Sequence, residues 1–162
     1  MIITLMLLAA GPSPQSCDLS AAKTARAVHD ALGRRAAAIV GAASATGVGA
    51  DAALRSLVDQ DAVFNLGAGD VGRPLGVGLA GIRSLAATMK ADQFRFLGWD
   101  YMDSPADACG KQSITVEFIS SATGQVSQVE FTFDQARLIS AKGWQRSFES
   151  GPLPSAVIKN GS

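Results

Sequence analysis

Few side chains in this sequence have the type and spacing that chemistry requires. The stretch Asn65 to Gly76 reads NLGAGDVGRPLG, and its GAGDVG (Gly67, Gly69, Gly72) matches the GxGxxG fingerprint of dinucleotide-binding enzymes. That fingerprint works when a helix starts at the last glycine, so that its N-terminus receives a pyrophosphate, and when a second strand ends in an acid about 20 residues on. Here Gly72 is followed by Arg73, Pro74 and two more glycines before any helical pattern, and Asp92 precedes its strand. No cofactor is therefore expected, and the segment reads as a connection between the first strand and the third helix at the rim of a pocket. A GxSxG elbow and a GKS or GKT phosphate loop are absent, and one histidine with two distant cysteines lacks metal-ligand spacing.

The best acid or base candidate is Asp100. If Phe94 and Phe96 face the core, strict alternation turns Asp100 and Met102 inward as well, and a carboxylate in an apolar pocket has its pKa raised, as proton transfer requires. A bulge at Gly98 would reverse that direction. Gln145 and Arg146, late in the last strand-like run, are candidates for an anionic ligand group, with exposed strand polarity as the alternative. His29 falls partly on the apolar stripe of the first helix, where a hydrogen-bonded structural role is expected.

The elements that must position these groups follow from periodicity. Leu19, Ala22, Ala25, Val28, Leu32, Ala36 and Ile39 recur at helical spacing after a possible N-cap at Asp18 or Ser20, and DAALRSLVDQ restarts a short helix. DAVFNL reads as a brief strand, and LAGIRSLAATMK as a third helix. From Gln93 the period becomes two: QFRFLGWDYMD, QSITVEFISS, QVSQVEFTF and ARLISAKGWQRSF are strand-like, with short links that imply antiparallel neighbours. Ile114, Val116 and Phe118 share one face, and Val129, Phe131 and Phe133 share another.

Composition bounds the rest. A 162-residue chain that is 48% apolar fits one domain with a real core. Fourteen basic residues balance fourteen acidic ones without a dense basic cluster, which argues against nucleic acid as a partner. The first sixteen residues carry no charged side chain and run apolar from Ile2 to Ala10, too short for a transmembrane span but suited to a cleaved leader, although the n-region lacks Lys or Arg. Residues 1–16 are thus expected to be a signal peptide and the protein periplasmic or secreted, with a buried N-terminal strand and a cytoplasmic location as the alternative. In an exported protein Cys17 and Cys109 suggest one disulfide; lipidation at Cys17 and two free thiols remain the alternatives. Residues 151–162, with two prolines, read as a loose tail.

Helices followed by an antiparallel meander make an α+β domain. The order of elements, with LRSLVDQDAVF (Leu54 to Phe64), GIRSLAATM (Gly81 to Met89) and the pair QVEFTF and ARLISAKGWQRSF, resembles the nuclear transport factor 2-like superfamily, including polyketide cyclase-like and ketosteroid isomerase-like proteins. The resemblance covers about residues 18–150, and the domain is expected to span residues 17–150. It implies a cystatin-like cone in the order α-α-β-α-β-β-β-β, a curved antiparallel sheet around a pocket for small apolar ligands, and a homodimer. Ketosteroid isomerase-like members carry an Asp base roughly five residues after the first Asp of the DA pair. Counting from Asp61, Leu66 stands there, after Asn65, and neither abstracts a proton. Those enzymes also use a Tyr from the first helix, whereas the single tyrosine here is Tyr101, in a strand-like run. The expected function is non-catalytic binding of a small apolar molecule in a pocket lined by Phe94, Phe96, Met102, Phe118, Phe131, Phe133, Trp144 and Arg146. The alternative is an isomerase, dehydratase or cyclase with an unusual acid such as Asp100.

Overall fold

The computed structural model describes residues 17–22, 24–68, 72–97 and 107–147. A 3-10 turn, Asp18–Ala21, precedes helices α1 (Ala25–Ser44) and α2 (Val48–Leu57). Strands β1 (Val58–Ala68) and β2 (Pro74–Val77), helix α3 (Gly78–Met89) and strands β3 (Gln93–Phe96), β4 (Gln112–Ser120), β5 (Gln125–Asp134) and β6 (Arg137–Ser147) follow. Helix α1 begins later than its apolar stripe suggests. Thr24, in extended conformation, is its N-cap, accepting a hydrogen bond from the Ala27 amide at 3.1 Å.

The six strands form one sheet in the order β2-β1-β6-β5-β4-β3. Alternation sorts its two faces. Ile114, Val116 and Phe118 of β4, Val129, Phe131 and Phe133 of β5, and Phe64 and Leu66 of β1 are all buried, together with Val28, Leu32 and Ile39 of α1 and Ile82, Leu85 and Met89 of α3 in one core. Each fully buried Phe or Leu contributes roughly 1.5–3 kcal/mol. Helices packed on one face of the sheet give the α+β cone that the resemblance implied.

Two features depart from the sequence reading. The sheet is mixed: β1 and β6 run parallel, from Phe64 opposite Ala141 to Ala68 opposite Gln145. Parallel neighbours need a long connection, and everything from β2 to β5 supplies it. The glycine-rich segment also contains a strand. Strand β2 pairs antiparallel with β1, Val63 opposite Val77, so Gly67 of GAGDVG lies within β1, and Gly72 precedes a strand instead of a helix. Gly81 then lets α3 lie against that hairpin, because a Cβ there would sit 2.4 Å from the Phe64 ring and 2.7 Å from the Gly76 carbonyl oxygen.

Register irregularities occur in the β1–β2, β1–β6 and β5–β6 pairs, where strands bend. The last decides which side chains of β6 reach the core. Phe133 lies opposite Leu138, but Thr132 lies opposite Ser140, leaving Ile139 as an extra residue.

Candidate functional site

Four of the five phenylalanines expected around a ligand, Phe94, Phe96, Phe118 and Phe131, meet in a chain of rings. The rings of Phe94 and Phe96 are 5.6 Å apart, Phe94 and Phe118 6.5 Å, and Phe118 and Phe131 5.8 Å, spacings that suit tilted and edge-on aromatic packing. Phe96 reaches α1 because residue 33 is glycine; a Cβ there would fall 2.5 Å from its ring. Phe118, Phe131 and Phe133 are buried in the core, while Phe94 is 50% exposed. None of these phenylalanines lines either of the two cavities described below.

Trp144 and Arg146 do not join them. Counting by twos from buried Leu138 would put both on the helix side, but the extra Ile139 shifts the count, so buried Ala141 and Gly143 face inward. Trp144, opposite Gln128, lies on the outer face and is 50% exposed. Arg146 reaches Glu117 there. Leu66, at the position of the isomerase base, is a buried core residue opposite Gly143. Asp100 and Met102 lie outside the described residues, as do the leader at 1–16 and the tail at 151–162.

One cavity opens where β3 stops. Phe96 pairs with Val116, so the edge of β4 from Gln112 to Thr115 extends beyond its neighbour. A space of about 290 Å³ lies there, lined by Leu97, Ser113, Ile114, Thr115, Gln128, Glu130 and His29 from α1. This is at the lower end of the roughly 300–1,000 Å³ of ligand pockets. His29 is only 5% exposed, and no hydrogen bond among the described residues ends on its ring. Glu130 is held by Lys142 at 3.1 Å, and the Ser113 and Thr132 hydroxyls are 3.0 Å apart. The site thus combines apolar walls, Leu97 and Ile114, with an imidazole that has both donor and acceptor capacity in its neutral form. The position of His29 on the stripe was visible in the sequence; the cavity depends on how early β3 ends, which was not.

On the outer face Glu117 is fully buried between two arginines. Arg95 Nε donates to one carboxylate oxygen and Arg146 Nη2 to the other at 2.9 Å, both from side chains more than half exposed. The Arg95 hydrogen bond, aided by Arg146, holds the Glu117 carboxyl below the usual glutamate range despite the opposing effect of burial.

A second cavity, about 310 Å³, lies beside the disulfide between Cys17 and Cys109, whose Cα atoms are 5.8 Å apart. It is lined by Asp18, Arg35, Ser56, Leu57, Arg137 and the turn Gln135-Ala136. Both turn residues have positive φ, 47° and 60°, a hairpin conformation that glycine or asparagine adopts more cheaply, at about 1–2 kcal/mol per residue. Two hydrogen bonds fix it: the Gln135 amide donates to the Cys109 carbonyl at 2.9 Å, and Arg35 Nη1 donates to the Ala136 carbonyl at 2.9 Å.

Among the described residues no cluster of His, Cys, Asp or Glu is suited to hold a metal, and no helix is long and apolar enough to cross a membrane. No family model matches the chain, and no curated protein matches it. Solved structures do resemble it at low identity. A de novo designed protein of the NTF2 fold aligns with a TM-score of 0.43 and 9% identity over 72% of this chain and 85% of its own. A de novo designed protein with a curved β-sheet gives 0.42 and 10% over 72% and 86%. A phenazine biosynthesis-related protein from Pseudomonas aeruginosa gives 0.37 and 13% over 82% of this chain and 91% of that one.

Proposed function

We propose that the domain binds a small, largely apolar molecule carrying one hydrogen-bonding group, seated in the cavity at the edge of β4 that no described strand covers. The observation that carries this reading is His29, a nearly buried imidazole with no hydrogen bond to its ring among the described residues, facing a space with Leu97 and Ile114. Its ring nitrogens are not among the shielded, unpartnered side-chain atoms, which fits nitrogens open to the cavity, where a ligand hydroxyl or carbonyl would bond to one of them. The role is binding without turnover, since the position of the family's base is occupied by Leu66. An isomerase, dehydratase or cyclase role would need an acid or base in addition to His29, and Asp100 is its candidate.

The disulfide supports export to the periplasm or beyond, because such bonds persist in oxidising compartments. Half-exposed Trp144 and Val63 on the outer face support a homodimer. Titration of the ¹⁵N-labelled protein with phenol and with indole tests the binding role. Saturable shifts of the His29 ring, accompanied by shifts of the Leu97 and Ile114 amides that His29→Leu abolishes, support it; unmoved ring signals at millimolar probe sink it.

A further inference from the structure

We propose that the cavity beside the disulfide is a second binding site, for a small molecule bearing a carboxylate or phosphate group, and that Asp18 holds its place as a tethered internal anion. Arg35 is built in: its side chain is 15% exposed, and one arm of its fork is fixed on the Ala136 carbonyl. The other arm, Nη2, donates to both Asp18 oxygens, at 2.7 and 2.6 Å. Asp18 is the loose member of the pair. Its side chain is 67% exposed, on a four-residue 3-10 turn next to disulfide-bonded Cys17.

Arg137 supplies the second cation. Its Nη2 donates to the Val58 carbonyl at 2.9 Å and the Arg55 carbonyl at 3.5 Å, whereas its shielded Nε makes no hydrogen bond and only a long ion pair, 3.9 Å, with half-exposed Asp59. A guanidinium offers five donors, and this one uses a single nitrogen among the described residues. The left-handed Gln135-Ala136 turn, fixed from both sides, joins the Ala136 carbonyl that Arg35 grips directly to Arg137, so both cations line one space. Strained backbone of this kind gathers at binding sites. An incoming anion takes the place of the Asp18 carboxylate on Arg35 and reaches Arg137, with Leu57 and the disulfide beside its apolar part.

Competition by Asp18 is the testable core. Amide shifts of Ser56, Leu57 and Gln135 are followed in the oxidised full chain during separate titrations with succinate and inorganic phosphate. Asp18→Asn is expected to tighten binding about fivefold, the scale of an exposed ion pair. Arg137→Gln is expected to weaken it about tenfold, the scale of a charged hydrogen bond, with Arg137→Lys in between. Saturation by succinate alone assigns a carboxylate ligand, and by phosphate alone a phosphate ligand. The proposal is overturned if neither probe shifts these amides in Asp18→Asn at 10-millimolar order, or if that substitution leaves the affinity unchanged.

Discussion

The two faces of β4 and β5 bury side chains by opposite means. On the helix side Val116, Phe118, Val129 and Phe131 are covered by hydrocarbon, and the gain scales with the area removed from water. On the outer side Glu117 is equally inaccessible, yet its carboxylate is held by a pair of arginines that neutralise it. An apolar face tolerates the loss of one neighbour as a cavity; a buried carboxylate does not tolerate the loss of both partners, because its charge is then stranded. The inner face is therefore graded in its response, and the outer face conditional.

The largest effect should come from the inner face. Phe131→Ala is expected to lower stability by about 3–5 kcal/mol in urea unfolding, the cost of an aromatic cavity. A loss under 1 kcal/mol would contradict its place in the core. Next, a double-mutant cycle tests the outer face: Arg95→Ala and Arg146→Ala should each cost about 1 kcal/mol, since both side chains are largely exposed. Together they should exceed their sum by about 1 kcal/mol or more. Simple additivity would mean that Glu117 is not shared.

Acid sharpens the same contrast. The folded state holds the Glu117 carboxyl below its unfolded value of 4.5, so its contribution is full above that value and is lost as pH falls through the lower folded value. Thermal unfolding of the parent should weaken below about pH 4.5 more steeply than that of Glu117→Gln, whose curve is expected to be flatter over the same range. Asp18, lowered by its bond to Arg35, adds to the parent slope in the same direction and remains in the variant. Equal slopes would remove Glu117 from the account. The smallest effect belongs to Trp144→Ala, expected to change the stability of a monomer by about 0.5 kcal/mol or less. The proposed homodimer adds a loss that grows with protein concentration, and a loss independent of concentration would remove Trp144 from its interface.

The inner face was legible because the period-two pattern of ITVEF and VEFTF is local and unbroken. Trp144 and Arg146 were misplaced by one extra residue at Ile139, since a single-residue slip turns every later side chain over. Glu117 reads in sequence as an ordinary solvated strand residue; its burial requires arginines brought from β3 and β6. The parallel pairing of β1 with β6 has no local signature either. The two cavities depend on where β3 stops and on a left-handed turn, and neither is encoded in a motif. GAGDVG, the most motif-like stretch in the chain, has its first glycine inside β1 and is followed by strand β2 instead of a helix.

That parallel seam also has a consequence for how the molecule comes into being. Strand β1 is complete by Ala68, yet one of its two neighbours is the last strand of the domain, and Ala68 lies opposite Gln145. During synthesis β1 has only four-residue β2 beside it until nearly the whole domain has emerged. Pairings of such long sequence separation form slowly, because the chain must close a large loop before the contacts reward it. Completion of the sheet therefore waits for β6, and the nascent chain carries Phe64 and Leu66 without their final partner strand until Arg137–Ser147 has emerged.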